Sequence, residues 1–416
     1  MGATLNVTID FSNGSSFNPS LVLDDPSTPL DTGVFGTSAS QVIDVSQYVL
    51  QCEIRRAYNR NADDFQGGSA ALRLIDETGL FNPDNPIGIL YGKILPMRKI
   101  RMIGEFNNVQ YALASMYVQS WKYQSPTGVD PAFIDLNCVD GFQLLNLSTL
   151  GTFTGSVGQT CSQRISTLLD AASWPSGMRD ISTNSTTICQ ADPGTSGRSA
   201  LSALLQIAQT ELGSFYFDEF GFANFYSRTD IVKAAGATPT QFTDTGSGIA
   251  YLAVNFDLSD TGLVNYASVT RSSGSEQLAI DTASQEKYFQ HSKIRSSLLM
   301  TTDADALNQA QSIVASRKEI SNSLRMESIT IDAFNTAASA QVTAALSLDV
   351  FDPIQVTQTL PGGAVTTNLL IQGVSMSITP NSWLVSFVTA TPFAVGFVLD
   401  STTQGKLNTS PALLGY

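Results

Sequence analysis

Charged side chains are scarce in this sequence of 416 residues. Asp, Glu, Lys and Arg make up 14% of it, against about 25% in an average globular protein. Because 36 acidic residues face 22 basic ones, the net charge is −14. So acidic a chain lacks the basic field that attracts phosphate backbones, which argues against general nucleic-acid binding. Its 43% of hydrophobic residues suffices for folded cores and excludes a disordered chain.

Histidine and cysteine are also rare. His291 is the single histidine, which excludes metal sites built from several histidines and leaves at most one Ser-His-Asp triad. Its neighbours from Lys287 to Lys293 are mostly polar, so we expect a solvated segment and not a catalytic base. No Cys-x-x-Cys pair occurs, so we expect four free, buried thiols and no zinc site. The cysteines are Cys52, Cys138, Cys161 and Cys189.

Long apolar runs and catalytic motifs are missing as well. No run approaches the 18 residues of a membrane span, and the N-terminus lacks the regions of a secretory signal, so we expect neither. No Gly-x-Ser-x-Gly elbow, Walker A loop or EF-hand loop occurs. The stretch Gly246-Ser247-Gly248 begins like a dinucleotide fingerprint but lacks its third glycine. We therefore predict no catalytic residue, no metal site, no cofactor and no enzyme activity.

Alternating apolar and polar residues dominate the first 150 residues. Alternation with a period of two is typical of half-buried strands, and the intervening Gly, Pro, Asn and Asp clusters are typical of turns. This pattern predicts an antiparallel β-barrel or sandwich over residues 1–150. The predicted strands lie near residues 5–11, 42–56, 68–76, 98–104, 109–114, 116–123 and 133–140.

The hydrophobic period changes after residue 150. Thr160 and Gln163 form a capping box before a helical stripe that Trp174-Pro175 ends. A second amphipathic helix follows from Leu201 to Leu212, with Gly213 as its predicted C-cap. Two aromatic-rich strands between Phe215 and Arg228 come next, and their aromatic residues are interpreted as core and not as a ligand platform. Residues 151–235 are therefore predicted to form a compact α/β insertion.

Strands return in residues 236–416, which we predict to form a second β-barrel with one helix at about 303–318. Each β part contains a strand pair separated by a Pro/Gly turn and followed by a strand with a tryptophan, Trp121 or Trp383. This weak similarity between the two β parts suggests a duplication. The predicted fold is mainly β, with two antiparallel barrels and a small α/β insertion.

The sequence resembles the hub family of long-tailed bacteriophages, also called baseplate hub or minor tail proteins. Four stretches carry this resemblance through their order and spacing. The first stretch is a strand that leads into a Gly-x-Phe-x-Pro-x-Asn type of turn. The second is a strand ending in Asp before a short helix, and the third joins two helices to an aromatic hairpin. The stretches are residues 70–85, 134–141, 168–175 with 203–228, and 371–383 with 397–400. The N-terminal 40 residues are longer than is usual in that family.

The resemblance implies two barrels per chain that are similar to the tail-tube fold. Three chains would then form a homotrimeric ring of six barrels at the distal end of the tail tube. Implied partners are the distal tail protein or tube, a central fibre or spike and the tape measure protein. DNA would pass through the channel without specific binding, and the protein would be part of the virion, assembled in the host cytoplasm. Exposed strand edges would become ladders between subunits in such a ring.

Two other functions stay open at this point. A distal tail protein would form a hexameric ring with one barrel per chain, and a carbohydrate-binding receptor-recognition protein would use the aromatic residues at 215–226. The acid excess also has two explanations: it lines the channel of a ring and repels DNA, or it covers the outer surface and provides solubility.

Overall fold

The computed structural model describes most of the chain. The described residues are 2–12, 41–59, 64–127, 131–151, 153, 155–192, 194, 197–246, 248–319, 325–334 and 339–391. The loops predicted between residues 18 and 36 and the stretch 397–400 lie outside them.

The first β region is built from strands whose alternate residues are buried, as predicted. Its strands are β1 (Thr4–Asp10), β2 (Val42–Asp44), β3 (Val49–Asn59), β4 (Asp64–Phe65), β5 (Ser69–Asp76), β6 (Arg98–Phe106), β7 (Val109–Gln124) and β8 (Ala132–Val139). The helix α1 (Gly141–Leu147) follows, and its N-cap Asp140 accepts a hydrogen bond from the amide of Phe142. The two strands expected at 109–123 are one continuous strand, β7.

The middle part is a small α/β unit. It contains α2 (Cys161–Ala171), β9 (Arg179–Ile181), α3 (Ala200–Glu211), β10 (Ser214–Phe217), β11 (Ala223–Tyr226) and α4 (Arg228–Ala235). The predicted capping box of Thr160 and Gln163 is present. At the end of α3 the left-handed residue is Leu212, with a φ of 57°, and not the predicted Gly213. Gly213 is required because a Cβ there would lie 2.5 Å from the carbonyl oxygen of Tyr226.

The last part contains more helix than predicted. Its elements are β12 (Thr240–Thr243), β13 (Ala253–Asp257), β14 (Tyr266–Arg271), β15 (Gln277–Ile280), α5 (Thr282–Tyr288), β16 (Ser292–Leu298), α6 (Asp303–Arg317), β17 (Arg325–Asp332), α7 (Ser339–Ser347), β18 (Pro353–Leu360), β19 (Gly363–Thr379) and β20 (Ser382–Ala390). The predicted helix is α6, but the expectation of a single helix is wrong because α5 and α7 are also present. Helices this short depend on packing more than on local propensity.

The strands confirm a mainly antiparallel β fold with small α/β additions, but not two closed barrels. Strands of both β regions join in one 14-stranded sheet with the order β13-β17-β20-β19-β3-β5-β8-β7-β6-β1-β2. Outside this path, β18 pairs with β19, β12 pairs with β18, and β4 pairs with β3. No pairing closes either region into a ring within the described residues. In the first region, β3 pairs with β5 and with β19 of the other region, which leaves β3 no free edge for closing its own region.

The two β regions share one strand order. The order is β3-β5-β8-β7-β6-β1 in the first region and β13-β17-β20-β19-β18-β12 in the second. The correspondence ends at the last strand, because β1 is antiparallel to β6 whereas β12 is parallel to β18. We call these two sets of strands repeat 1 and repeat 2. The tryptophans that suggested the duplication are not equivalent, since Trp121 lies in β7 and Trp383 in β20.

Three hydrophobic cores lie beneath these elements. The largest belongs to both repeats, and α7 packs on β6 and β7 within it. There a Cβ at Gly104 would lie 3.1 Å from Leu346 and 3.3 Å from the indole of Trp383. The second core joins the α/β unit to α1 and to Phe351, and the third lies between α6 and the sheet β15-β14-β16. The two repeats are thus one folded body, and the domain boundaries at residues 150 and 235 stay a prediction.

Candidate functional site: a charged junction and two open strand edges

His291 lies at the start of β16 and faces a carboxylate. Its Nε2 is 3.0 Å from Oδ2 of Asp260, and its Nδ1 is 3.2 Å from the carbonyl oxygen of Phe289. The hydrogen bond with Asp260 raises the pKa of His291. Among the described side chains, neither ring nitrogen contacts a hydroxyl group, so this His-Asp pair has no nucleophile beside it.

The cysteines are four free, buried thiols, as predicted. Cys161 and Cys189 lie close together, with their sulfur atoms 3.4 Å apart. In the described ranges, no group of three or more His, Cys, Asp or Glu side chains is arranged to hold a metal ion. None of the helices described above has the length and apolar composition of a membrane span.

The aromatic residues of β10 and β11 belong to a core, as interpreted from the sequence. Phe215, Phe217 and Phe225 are buried, and Tyr216 stacks edge-on against Phe351 with ring centroids 5.6 Å apart. A sugar platform needs exposed ring faces, and these faces are covered by the protein itself.

A buried ion pair joins the two repeats. Nη1 of Arg56 on β3 donates to Oδ2 of Asp349 at 3.0 Å, and Nη2 lies 2.8 Å from Oδ1 of the same carboxylate. Asp349 lies just before β18, so this ion pair connects repeat 1 with repeat 2. Glu219, in the turn between β10 and β11, lies 3.8 Å from Arg56. The α/β unit therefore reaches the same point.

Burial sets the protonation of the acids around Arg56. Desolvation raises the pKa of Asp140 to about 7, against hydrogen bonds from Gly68 and Phe142 and the charge of Arg56. Desolvation likewise raises the pKa of Asp218 to about 6. It also raises the pKa of Glu219 far above its usual range, and a hydrogen bond and the charge of Asp349 add to this effect. For Asp349 desolvation is outweighed by the charge of Arg56 and the hydrogen bond with Glu219, so its pKa is lowered.

These opposite pKa shifts favour the carboxylate at Asp349 and the neutral acid at Glu219, both of which lie beside the guanidinium of Arg56. This arrangement holds three parts of the chain together. No motif or spacing in the sequence predicted this junction. The available signal was the alternation of Cys52, Ile54 and Arg56, which places a charged residue at a core-facing position of β3.

Several strand edges are open in the described part of the chain, and two of them lie on β13 and β7. β13 pairs with β17 alone. The last third of β7, Ser120–Gln124, pairs with β8 on one side, whereas β6 ends opposite Val118 on the other side. Near both edges apolar side chains are exposed, among them Leu258 after β13 and Leu95 before β6. Edges of this kind are sites for pairing with another chain.

The face of the large sheet that points away from the core carries charges of both signs. Glu53 and Arg55 alternate with buried residues on β3. Arg73 of β5 lies 3.8 Å from Asp135 of β8, and Arg325 of β17 lies 3.2 Å from Asp257 of β13. Acidic and basic side chains therefore lie side by side on this face.

The fold is similar to that of solved tail proteins. A 43 kDa tail protein of prophage MuSo2 from Shewanella oneidensis is 12% identical, with a TM-score of 0.59 over 94% of this chain and 98% of that chain. A tail protein from Neisseria meningitidis MC58 is 10% identical, with a TM-score of 0.58 over 94% and 97% of the two chains. No known family model and no curated protein matches the sequence. These likenesses confirm, at the level of the fold, the resemblance to phage tail proteins, and they extend over nearly the whole chain.

Proposed function

We propose that this chain is a structural hub protein of a phage tail tip. The single observation that carries the proposal is the repeated strand order within one chain. Three such chains contain six copies of the repeat, which matches a three-fold tip to a six-fold tube. The fold, similar to tail proteins over nearly the full length of both chains, supports a structural role and not an enzymatic one.

In this proposal, three copies form a ring that closes the distal end of the tail tube. The ring connects the tube or distal tail protein to a central fibre or spike, contacts the tape measure protein and surrounds the path of the ejected DNA. The protein would be a virion component that assembles in the host cytoplasm. If the sheet face that points away from the core lines the channel, its acidic side chains are paired with basic ones. In that case the acid excess of the chain lies on the outer surface of the ring and not in the channel.

The alternatives are less well supported. A hexameric distal tail ring needs one repeat per chain, and this chain has two. A carbohydrate-binding protein needs exposed aromatic rings, whereas four of the five aromatic residues of β10 and β11 are buried: Phe215, Tyr216, Phe217 and Phe225.

Mass photometry and negative-stain microscopy of the purified full chain test the proposal. The expected result is a particle of three chains with three-fold symmetry and a central channel. A six-chain particle would favour the distal tail protein, and a monomer that binds glycans in an array would favour receptor recognition.

A further inference from the structure

The junction between the two repeats is a strand pairing whose geometry is known. β3 of repeat 1 runs antiparallel to the distal half of β19 of repeat 2, with Glu53 opposite Ser377 and Ile54 opposite Met376. It occupies the edge that β18 leaves free, because the pairing of β18 with β19 ends at Leu370. The inward side chains Ile54 and Met376 are buried in the shared core.

The same two positions exist a second time in the chain, and within the described residues no strand pairs with them at the equivalent edges. By strand order, β13 in repeat 2 corresponds to β3, and β7 in repeat 1 corresponds to β19. A bulge supports the second correspondence: the pairing of β7 with β8 shifts between Val118 and Ser120, and that of β19 with β20 shifts between Ile371 and Gly373. β6 ends opposite Val118, just as β18 ends opposite Leu370.

We infer that β13 of one copy pairs with the distal edge of β7 of the next copy and so repeats the β3–β19 junction between chains. This inference deepens the proposed hub function and rests on it for the ring that the pairing would build. Transfer of the in-chain register places Asn255 opposite Gln124 and Phe256 opposite Tyr123. The contact is head to tail, the type that generates closed rings when the rotation between copies closes.

The side chains at these edges fit the inferred pairing. Val254, Phe256, Trp121 and Tyr123 pack against the shared core but are only half-buried, whereas their counterparts Cys52, Ile54, Val374 and Met376 are buried. A second copy would complete their burial. On the face of the sheet that points away from the core, Asp257 would lie opposite Lys122 of the other copy. Opposite charges across a strand pair are favourable.

One difference between the two junctions is equally informative. In the chain, Arg56 on β3 binds Asp349 in the loop before β18. The corresponding positions between chains are Leu258, which is 62% exposed, and Leu95 in the loop before β6, which is 48% exposed. The carbonyl oxygen of Leu95 accepts a hydrogen bond from the indole of Trp121 at 2.9 Å. Leu258 would therefore meet an apolar surface formed by Leu95 and Trp121 in place of an ion pair.

An engineered disulfide tests the register. The double variant Gln124→Cys and Asn255→Cys in the full chain places thiols on two exposed residues, while the native cysteines are buried. Facing residues of antiparallel strands have the Cα separation that a disulfide needs. After mild oxidation, we expect most of the protein to run as covalent dimers and trimers on a non-reducing gel.

Two double variants serve as controls, one positive and one negative. Glu53→Cys with Ser377→Cys places the thiols at the in-chain junction and should oxidise within the monomer. Gln110→Cys with Asn255→Cys uses the opposite end of β7, where Gln110 already faces Glu105, and should give no covalent dimer. Equal cross-linking of this control would overturn the inferred register.

The outcomes separate the pairing from the proposed function. A three-chain particle in which Gln124→Cys and Asn255→Cys do not cross-link overturns the pairing and leaves the hub function standing. A protein that stays monomeric in the mass photometer overturns both. If the Gln124→Cys thiol of a monomer is protected from a thiol reagent, another part of the same chain covers the edge, which also overturns the pairing.

Discussion

Repeat 1 and repeat 2 have the same strand order but differ at their edges. In the spatial order of the strands, β3 stands at one end of repeat 1, and its outer edge pairs with β19. The equivalent strand of repeat 2 is β13, and its outer edge is open within the described residues. Repeat 2 also contains the sheet β15-β14-β16 and α6 between β13 and β17, where repeat 1 has a short connection between β3 and β5. The two repeats thus differ in whether this edge is used within the chain: β3 is joined to β19, whereas the equivalent edge of β13 is left for the inferred pairing between chains.

The largest expected effect comes from placing a charge in each of the two equivalent strands. Ile54→Asp puts a carboxylate into a core position that is 2% exposed and should cost about 4 kcal/mol or more of folding free energy. Phe256→Asp, at the half-buried counterpart, should leave a folded monomer that forms no ring. Urea denaturation and mass photometry measure the two effects. Equal loss of folding in both variants would contradict the distinction between an in-chain and an interchain junction.

The next prediction exchanges the ion pair of the in-chain junction for the apolar pair expected between chains. Arg56→Met alone leaves Asp349, whose side chain is 22% exposed, without its partner and should cost about 2–3 kcal/mol. Adding Asp349→Leu should recover most of this loss, because an apolar pair of similar size often replaces a buried ion pair at little cost. A double-mutant cycle from urea denaturation measures the coupling. No recovery in the double variant would show that the junction depends on charge.

The acids around Arg56 predict a pH dependence of stability. Asp218 and Asp140 have folded pKa values of about 6 and about 7, and that of Glu219 is raised further. Acids with raised pKa values contribute their full stability below their usual range of about 4 and lose it as the pH rises through the folded values. The lowered pKa of Asp349 acts in the opposite direction, because its contribution is lost in acid. We therefore expect the melting temperature to fall between pH 6 and pH 9, values that bracket these folded pKa values.

Glu219→Gln sharpens this test, because glutamine keeps the shape of the neutral acid and cannot ionise. Thermal melts of this variant should show a smaller decrease in melting temperature above pH 7 than the parent protein, and nearly the same melting temperature at pH 5. As a control, Glu286→Gln on the exposed α5 should keep the pH profile of the parent. A parallel profile for Glu219→Gln and the parent would show that Glu219 is not held neutral.

The smallest expected effect concerns the outward charges of the interchain pairing. Lys122→Glu places a carboxylate opposite Asp257 of the neighbouring copy and should weaken assembly about two- to fivefold, since like charges facing each other are mildly destabilising. High salt should remove the difference. Lys233→Glu, on the exposed face of α4, is the matched charge change and should have no effect. Equal weakening by both variants would point to net charge and not to this contact.

Local elements were predictable from the sequence by itself. The alternation in β5 and the capping box before α2 appear where they were predicted, because strand periodicity and N-capping depend on residues that are close in sequence. The burial of Phe215 and Phe225 and of the four cysteines followed from their apolar surroundings. The mainly β fold class was predictable for the same reason.

Only the tertiary structure decided how the strands join. No local pattern states that β3 pairs with β19, because the hydrogen bonds of a strand edge are the same for every partner, and partner and register follow from packing. The same cause turned two predicted barrels into one continuous sheet and brought Arg56, Asp349 and Glu219 together from distant parts of the chain. The open edges of β13 and β7 were decided in the same way, since an edge is open or covered only with respect to the other strands of the fold.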